Sequence, residues 1–519
     1  MLKYLLLLLN FYYSNSFIFY SKNLYNYKLN SNSLSINKNF KMNVLPYNSD
    51  KFNFKKQWYP IAVPEFLNKN KPHYAQLMGN DLVIWYDKYN NKWNIFNDAC
   101  PHRSAPLSEG RIEDNNLMCA YHAWQFNSTG NCISLPHAQK KNHIKLCSLK
   151  NTCASVYPTQ EKIGLLWVWG EQGELGSNAS IEASLKEPEI ISELEYKNDS
   201  YTVIKGNWAF RDIPYSWDYF QENILDPAHV YVAHHNIIGN RYTSPTYYNI
   251  KTLDKINLTG FKQQILRNDL NAKYSSDLYD VSVSEFYQEF RAPSLVKISI
   301  KHFSKTEFIL ALYSLPIKQG WVRSIGTVIA IIPNNNNNNF NKIFKILSNI
   351  FINFPAWLTH VLSSFFLHQD LVFLHHQEKI LAKKGYSSFS DNYSDYIFSP
   401  TPHDNGVIVF RKWLNEYANN GIPFLNKTEI SLDRNIKKED LFDVYNTHTK
   451  HCSVCMDALR NLKIIRNSLY FFGFISMELR TDENLNLFFI GLSLIGFGLA
   501  LNRFIDLFYK YEFEHHLND

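Results

Sequence analysis

The stretch ACPHRSAPLSEGRIEDNNLMCAYHAW, residues 99–124, decides the fold of the first third of the chain. It contains two pairs of metal-binding side chains, Cys100 with His102 and Cys119 with His122, and 16 residues separate the two pairs. In one kind of [2Fe–2S] cluster, two thiolates hold one iron and two imidazoles hold the other, and the neutral nitrogen ligands raise the reduction potential. The spacing therefore predicts such a cluster on two tight loops, and a protein that carries electrons.

The residues around the two pairs support this Rieske type of cluster. Pro101 and Pro106 flank the first pair, and glycines punctuate short apolar runs on either side. Such runs between turn residues are typical of small β-strands, which we expect at 82–86 and 93–96. A zinc site is the main alternative, but zinc prefers Cys-x2-Cys or His-x3-5-His pairs. Chance placement of common residues is the other alternative.

Length and composition narrow the class of protein. The chain has 519 residues, 45% of them hydrophobic, which is too long for one ordinary domain and ample for sizeable cores. The net charge of +6 is small, and no basic stripe is interleaved with aromatic residues, so nucleic-acid binding is not supported. Seven cysteines in so long a chain do not form a disulfide framework. Cys132, Cys147 and Cys153 are interpreted as small buried residues.

A second group of metal-binding residues lies in the segment Asp226-Pro-Ala-His229-Val-Tyr-Val-Ala-His234. Two imidazoles and one carboxylate on one face of Fe(II) leave the opposite positions open for O₂ and a substrate. We therefore expect His229 and His234 to bind a mononuclear iron, with a carboxylate from elsewhere in the chain. A surface helix with solvated histidines is the alternative, and the upstream cluster motif disfavours it.

Helical geometry predicts an irregularity in this segment. On a continuous helix Glu222, Asp226 and His229 share one face, whereas His234 lies off that face. Pro227 cannot donate a backbone hydrogen bond. We expect a kink or bulge here, which would aim both histidines at one metal.

Two ligand positions have competing candidates. His235 adjoins His234, but the five-residue step from His229 favours His234. For the carboxylate, the apolar helical stretch 367–378 offers Asp370 as first candidate and Glu378 as second, because its apolar face would point inward.

The C-terminal part contains Cys452-Ser-Val-Cys455, followed by apolar stretches at 469–477 and 485–501. Two thiols at this spacing can form a reversible disulfide or supply half of a zinc site. No second Cys pair lies nearby, so we predict a redox-regulated pair, with inert thiols as the alternative. The second apolar stretch is a little shorter than the roughly 20 residues that span a bilayer. It predicts a membrane hairpin or re-entrant anchor, with a buried core helix as the alternative.

The first 50 residues are interpreted as a targeting leader. Lys3 precedes an apolar run, and a Ser-, Asn-, Lys- and Tyr-rich stretch follows without an acidic residue until Asp50. This pattern is similar to a signal peptide followed by a transit peptide, with Phe17 near the junction, as in plastids bounded by extra membranes. A mitochondrial or simple plastid presequence and a signal anchor are the alternatives.

The two metal motifs, in this order, resemble the Rieske non-haem iron oxygenases over residues 58–460. Four elements resemble the plastid pheophorbide a oxygenase-like branch of that family: Trp58-Tyr-Pro, Thr401-Pro, Phe410-Arg-Lys-Trp413 and Cys452-x2-Cys455. Two features depart from its pattern. Ala123 stands where the family usually has Gly, and the asparagine run at 334–339 is an insertion.

This resemblance implies an α+β fold with a Rieske β-domain and a helix-grip catalytic domain, in which an antiparallel sheet surrounds a long helix. Its C-terminal end would be a hydrophobic membrane tail. The expected segments are a bipartite targeting leader (1–50), a Rieske domain (51–175), a catalytic mononuclear iron domain (200–430) and a CxxC segment with membrane anchor (431–519). Strand-like stretches at 296–300, 308–313 and 327–332 would belong to the gripping sheet.

The resemblance also implies an activity and its partners. In a homotrimeric ring, Asp226 would bridge a cluster histidine of one subunit to an iron histidine of the next. Ferredoxin would supply electrons, and O₂ would oxygenate a tetrapyrrole such as pheophorbide a at a plastid inner envelope or thylakoid membrane. Thioredoxin would act on Cys452 and Cys455. Two alternatives stay open: a Rieske hydroxylase of another lipid-soluble ring such as a sterol, and a non-catalytic redox component of plastid protein import.

Overall fold

The described part of the chain begins after the predicted leader. The computed structural model describes residues 51–195, 200–237, 240–242, 247–267, 283–302, 305–334, 354–418, 421–425, 437–481 and 484–515. The leader, residues 1–50, therefore lies outside the described residues, as does all but the first residue of the asparagine run.

The N-terminal part consists of short antiparallel strands in small sheets with the orders β1-β11-β10, β2-β3-β4-β9 and β5-β6-β7-β8. Their bounds are β1 (Trp58–Ala62), β2 (His73–Leu77), β3 (Asn80–Asp87), β4 (Lys92–Asn97), β5 (Arg111–Glu113), β6 (Asn116–Met118), β7 (Gln125–Phe126), β8 (Cys132–Ser134), β9 (Val156–Tyr157), β10 (Thr159–Lys162) and β11 (Leu165–Trp169). A short helix, α1 (Lys140–Cys147), separates β8 from β9. The strands expected at 82–86 and 93–96 are confirmed as β3 and β4.

β3 is buried on both faces because it separates two cores. Alternate residues of a strand point to opposite sides. Leu82 and Ile84 join the main hydrophobic core, whereas Val83 and Trp85 join a smaller core around Cys100. The cluster loops are thus attached to a rigid apolar base.

The second part is built on an eight-stranded antiparallel sheet with the order β12-β19-β18-β17-β16-β15-β14, in which β13 also pairs with β19. After a helix, α2 (Asn178–Leu185), come β12 (Tyr201–Lys205), β13 (Ala209–Ile213), α3 (Trp217–Ile224), α4 (Val230–Ala233), β14 (Tyr248–Thr252), β15 (Gly260–Arg267), β16 (Val283–Arg291), β17 (Leu295–His302), β18 (Glu307–Lys318) and β19 (Trp321–Pro333). The strands expected at 296–300, 308–313 and 327–332 are confirmed within β17, β18 and β19.

Helices follow the sheet along the chain. They are α5 (Ala356–Lys383), α6 (Asn405–Tyr417), α7 (Lys438–Leu441), α8 (Ser453–Glu478) and α9 (Asn486–Asp506). The long helix α5 packs against β13, α3 and α8, and it carries buried polar residues such as Asp370 and His360 on its inner side. The predicted α+β fold, with an antiparallel sheet holding a long helix, is confirmed.

α8 and α9 form a helical hairpin at the C-terminal end. Their backbones approach closely where Gly473 faces Gly491, since a Cβ on Gly491 would lie 2.6 Å from the carbonyl oxygen of Gly473. The outward faces are apolar, and Phe474 and Phe497 are more than 60% exposed. By length and composition α9 is able to cross a bilayer. The mean hydropathy of its most apolar 18 residues is 1.8, and only 17% of this stretch is buried. A buried core helix, the alternative considered above, does not fit this exposure.

Candidate metal centres and active site

Two loops of the same geometry present the four residues of the predicted cluster. In each loop the backbone N–H of the cysteine donates to the carbonyl five residues later, and the N–H four residues later donates to the cysteine carbonyl. The four bonds are Cys100 to Ala105 (2.8 Å), Ser104 to Cys100 (2.8 Å), Cys119 to Trp124 (2.9 Å) and Ala123 to Cys119 (3.1 Å). Each loop is therefore fixed by its own backbone.

Both loops turn through the left-handed region of backbone conformation. The φ angle is 54° at Ser104 and 56° at Ala123. A residue with a Cβ atom is strained there, by roughly 1–2 kcal/mol for an ordinary L-residue. This explains why glycine would suit position 123. The Cβ atom of Ala123 makes this loop less stable than it would be with glycine.

The thiols lie inside and the imidazoles lie towards the surface. Cys100 and Cys119 are each 2% exposed, whereas His102 and His122 are half-buried with ring centroids 4.7 Å apart. The ring of His102 stacks on Trp124, at 4.6 Å and 7°. Burial raises the pKa of the Cys100 thiol to about 11, so its thiolate needs a bound cation. The donor set fits a Rieske cluster whose histidine side is open to an electron donor.

The second metal segment is a broken helix. α3 ends at Ile224, and the short helix α4 begins at Val230, so the predicted irregularity around Pro227 is present. His229 immediately precedes α4 and His234 immediately follows it. The expectation that Glu222, Asp226 and His229 share one helical face is wrong, because the helix has ended before Asp226. The break itself brings both histidines to one side.

Three side chains from this segment and α5 converge. The Nε2 atoms of His229 and His234 lie 3.8 and 3.4 Å from Oδ2 of Asp370. The three donor atoms all lie within 4.8 Å of one another. Two imidazoles and one carboxylate in this arrangement form the set that binds mononuclear ferrous iron with open positions.

Hydrogen bonds on the far side of each imidazole fix its orientation. Nδ1 of His229 lies 2.5 Å from the carbonyl oxygen of Asp226, and Nδ1 of His234 lies 3.0 Å from Oε1 of Gln369. Since these oxygens accept, the Nδ1 atoms donate and each Nε2 atom keeps its lone pair, as a metal ligand must. Nε2 of His229 also lies 3.4 Å from Nδ2 of Asn223.

The Asp370 carboxylate is charged and incompletely bonded. Although burial acts in the other direction, His234 and His229 hold the pKa of Asp370 below its ordinary value. Its Oδ1 atom is buried and finds no hydrogen-bond partner among the residues that the structure describes. A buried carboxylate beside two imidazoles fits a cation.

The competing ligand candidates lie elsewhere. Nδ1 of His235 accepts from the backbone N–H of Arg241 at 3.0 Å, and His235 does not belong to the group of converging donor atoms. Glu378 accepts from the backbone N–H of Ser216 at 3.1 Å and from its hydroxyl. The structure therefore groups His234 and Asp370 with His229, and it leaves His235 and Glu378 outside the site.

Asp226 lies at the edge of this site. Its Oδ2 atom is 3.8 Å from Nδ1 of His229, its Oδ1 accepts from the N–H of Ala228, and its side chain is 32% exposed. This carboxylate contacts a candidate ligand and also reaches the surface, where another molecule can bind to it.

A buried ion-pair network fixes α3, which leads into the site. Arg411 on α6 bonds Asp218 at 2.7 Å and Glu222 at 2.9 Å, and the hydroxyl of Tyr393 donates to Glu222 at 3.1 Å. Arg411 belongs to the Phe410-Arg-Lys-Trp413 element. The network shows that this element has a structural role, and it explains why the Glu222 carboxylate is not part of the candidate iron site.

Sequence reasoning missed three residues beside the candidate sites. Gln369 orients His234, and its only signal was its position next to Asp370. His360 and His448 lie against the two buried thiols of Cys452 and Cys455. The position of His448, four residues before Cys452, could have indicated one of these contacts.

Two known families match parts of the chain that contain candidate ligands. Residues 57–154 match the Rieske [2Fe-2S] domain family, and residues 290–388 match the family described as pheophorbide a oxygenase. The first match contains all four candidate cluster residues, and the second contains Asp370.

Three plant proteins resemble the chain over most of its length. The protochlorophyllide-dependent translocon component 52 of Arabidopsis thaliana is 31% identical, over 80% of this chain and 75% of that protein. Flavonoid 8-hydroxylase 2 of Ocimum basilicum is 29% identical, over 90% and 86%. Pheophorbide a oxygenase of Arabidopsis thaliana is 28% identical, over 86% and 81%. All three are chloroplast proteins by name.

Proposed function

Because this chain belongs to the Rieske non-haem iron oxygenases, in the pheophorbide a oxygenase branch, we propose that it oxygenates a tetrapyrrole in a plastid with electrons from ferredoxin. One observation carries the proposal. The loops of a Rieske cluster and a convergent pair of histidines with a carboxylate occur in one chain.

The proposed ligands divide into two sets. Cys100, His102, Cys119 and His122 hold the [2Fe–2S] cluster, and His229, His234 and Asp370 hold the mononuclear iron. When bound, these groups supply single electrons and a site at which ferrous iron activates O₂. The protein itself orients the imidazoles through Asp226 and Gln369 and keeps the thiols in an apolar core.

Asp226 is proposed as the bridge between subunits of a homotrimer. Its partly exposed carboxylate supports this role, because it contacts His229 on one side and reaches the surface on the other. Asp226→Asn should keep both metals and lose most turnover, while the exposed Asp440→Asn should leave turnover unchanged. Loss of either metal in Asp226→Asn would assign Asp226 to metal binding instead, and native mass spectrometry that finds monomers would contradict the ring.

The substrate follows from comparative assays. We propose a tetrapyrrole of the pheophorbide a type as the substrate. The flavonoid hydroxylase among the relatives is a specific reason to test a second ring system. Oxygen consumption by the ferredoxin-reduced protein should rise with pheophorbide a and not with a sterol or a flavone. Stimulation by one of the latter alone would make the protein a hydroxylase of that ring.

A non-catalytic role in protein import is the competing class, and it is favoured by the name of the translocon component among the relatives. His229→Ala separates the two. An enzyme loses its product while the fold and the cluster remain. If cells that contain only the His229→Ala protein keep every phenotype of the wild type, the oxygenase proposal is wrong.

Attachment to a plastid membrane, at the inner envelope or the thylakoid, is supported by the apolar outer faces of α8 and α9. The full-length protein should float with phosphatidylcholine vesicles. Serine at Phe472, Phe474 and Phe497 together should reduce flotation, whereas Phe398→Ser, at an 89% exposed position outside the hairpin, should not. Equal flotation of the two variants would contradict an anchor in this hairpin.

A redox switch at Cys452 and Cys455, reduced by thioredoxin, stays a prediction, and it competes with the metal site that is proposed below for the same two thiols. Thiol labelling before and after thioredoxin treatment tests it. An increase of two labelled thiols supports the switch, and unchanged labelling contradicts it.

A further inference from the structure

Four buried donor side chains meet where the C-terminal hairpin joins the catalytic domain. They are His360 on α5, His448, and Cys452 and Cys455 at the start of α8, and each is at most 3% exposed. Their donor atoms all lie within 4.8 Å of one another. We propose that these four residues bind one zinc ion, in place of the disulfide predicted from the cysteines alone.

The distances between the donor atoms are close to those of a tetrahedral site. Nδ1 of His360 lies 3.2 Å from Nε2 of His448 and 3.2 Å from Sγ of Cys455, and Nε2 of His448 lies 3.3 Å from that sulfur. Sγ of Cys452 lies 3.6 Å from Nδ1 of His360. Zn–N bonds of about 2.0–2.1 Å and Zn–S bonds of about 2.3 Å place neighbouring ligand atoms roughly 3.3–3.8 Å apart in a tetrahedron.

The hydrogen bond on the other side of His360 leaves its inner nitrogen as a lone-pair donor. Nε2 of His360 lies 2.9 Å from the carbonyl oxygen of Trp208, which can only accept, so Nε2 carries the proton. Nδ1 of the neutral ring then presents a lone pair to the centre of the group. A carbonyl that fixes the tautomer of a histidine in this way is the usual outer partner of a metal ligand.

The choice of metal follows from the donor set. Two thiolates and two imidazoles are a common ligand set of structural zinc, and Cys452-x2-Cys455 has the spacing of one zinc-binding half. The second half comes from histidines rather than from a second Cys pair. Two thiolates neutralise the charge of Zn²⁺, which makes the complete site suitable for burial. Because four protein ligands fill a tetrahedron and all are buried, the site has a structural role.

This zinc ion would fasten the hairpin to the helix that carries Asp370. His360 lies ten residues before Asp370 on α5, and Cys455 lies in the first turn of α8. A rigid link at this point keeps the proposed membrane hairpin in a fixed position relative to the iron site.

The test is a zinc determination on the full-length protein, purified without chelators from zinc-supplied cells. We expect about one zinc ion per chain, and X-ray absorption at the zinc edge should show two sulfur and two nitrogen neighbours. The double variant Cys452→Ser with Cys455→Ser should lose the zinc while the Rieske absorbance remains. The control Cys147→Ser with Cys153→Ser removes two thiols elsewhere and should keep the zinc.

Absence of zinc from the wild-type protein overturns the proposal, and so does zinc that survives in the double variant. Because the first measurement needs no mutant, misfolding of a variant cannot obscure the answer. A mass lower by two hydrogen atoms in the zinc-free wild-type protein would show the disulfide instead.

Discussion

Oε1 of Gln369 lies 3.0 Å from Nδ1 of His234, one residue before the carboxylate that shares the candidate iron site. One turn of α5 thus supplies both a candidate ligand and the group that orients another. The backbone carbonyl of Asp226 does the same for His229. The iron site is therefore a property of the packing of α5 against the broken helix, and the predictions below follow from that packing.

Gln369→Leu should weaken iron binding without removing a ligand. The His234 ring loses the acceptor that fixes its tautomer, and loss of such a partner typically costs 10–100-fold in metal affinity. Iron titration of the apoprotein measures the change. Gln377→Leu is the matched control, because it makes the same substitution eight residues further along α5, and it should bind iron like the wild type.

Asp370→Ala should remove the mononuclear iron and leave the cluster. The iron content should fall from about three to about two atoms per chain, with the cluster absorbance unchanged. Glu378→Gln tests the rejected carboxylate and should keep all of the iron. If Glu378→Gln loses iron and Asp370→Ala does not, the ligand assignment is reversed.

Glu378 should make the protein less stable as pH rises towards neutrality. Burial, with a further contribution from Asp218, raises the pKa of Glu378 from its ordinary 4.5 to about 7. Between these two pKa values the folded state holds a proton that the unfolded state has released. The free energy of unfolding therefore falls by roughly 3 kcal/mol as the pH rises through this range.

Unfolding midpoints of wild type and Glu378→Gln measure this effect at about pH 5 and about pH 8. The variant should gain stability relative to the wild type as the pH rises. The exposed Glu416→Gln, at the end of α6, should show no such gain, and parallel curves for wild type and Glu378→Gln would contradict the raised pKa.

Ala123→Gly should stabilise the second cluster loop. Relief of the strained φ angle outweighs the added freedom of glycine in the unfolded chain, which gives a net gain of roughly 0.5–1 kcal/mol. The temperature at which the cluster absorbance is lost reports this gain. Ala120→Gly, three residues earlier and outside the left-handed region, should lower that temperature.

The sequence predicts the donors that lie close together in the chain and misses those that meet through packing. Two short motifs contain such donors, one from Cys100 to His122 and one from His229 to His234. Pro227 predicted the break between α3 and α4. Asp370 was recognisable as a carboxylate in an apolar helix. The grouping of His360 with Cys455, 95 residues later, depends on how α5 packs against the start of α8, which no local pattern encodes.

The same reason explains the error on Glu222. Helical spacing placed it with Asp226 and His229, but the pairing with Arg411 depends on α6, almost 190 residues away. A buried carboxylate needs a partner of opposite charge, and helical spacing does not show that Arg411 supplies it.

The central claim is that the cluster supplies electrons for the oxygenation of a substrate by O₂ at the site of His229, His234 and Asp370. A single turnover with ¹⁸O₂ tests it most directly: the protein is reduced chemically, freed of excess reductant, and mixed with pheophorbide a. The wild type should form product that contains one ¹⁸O atom, and Asp370→Ala, with its cluster still reduced, should form none. Equal labelled product from both proteins, or a product whose new oxygen atom comes from the unlabelled water, would contradict the account.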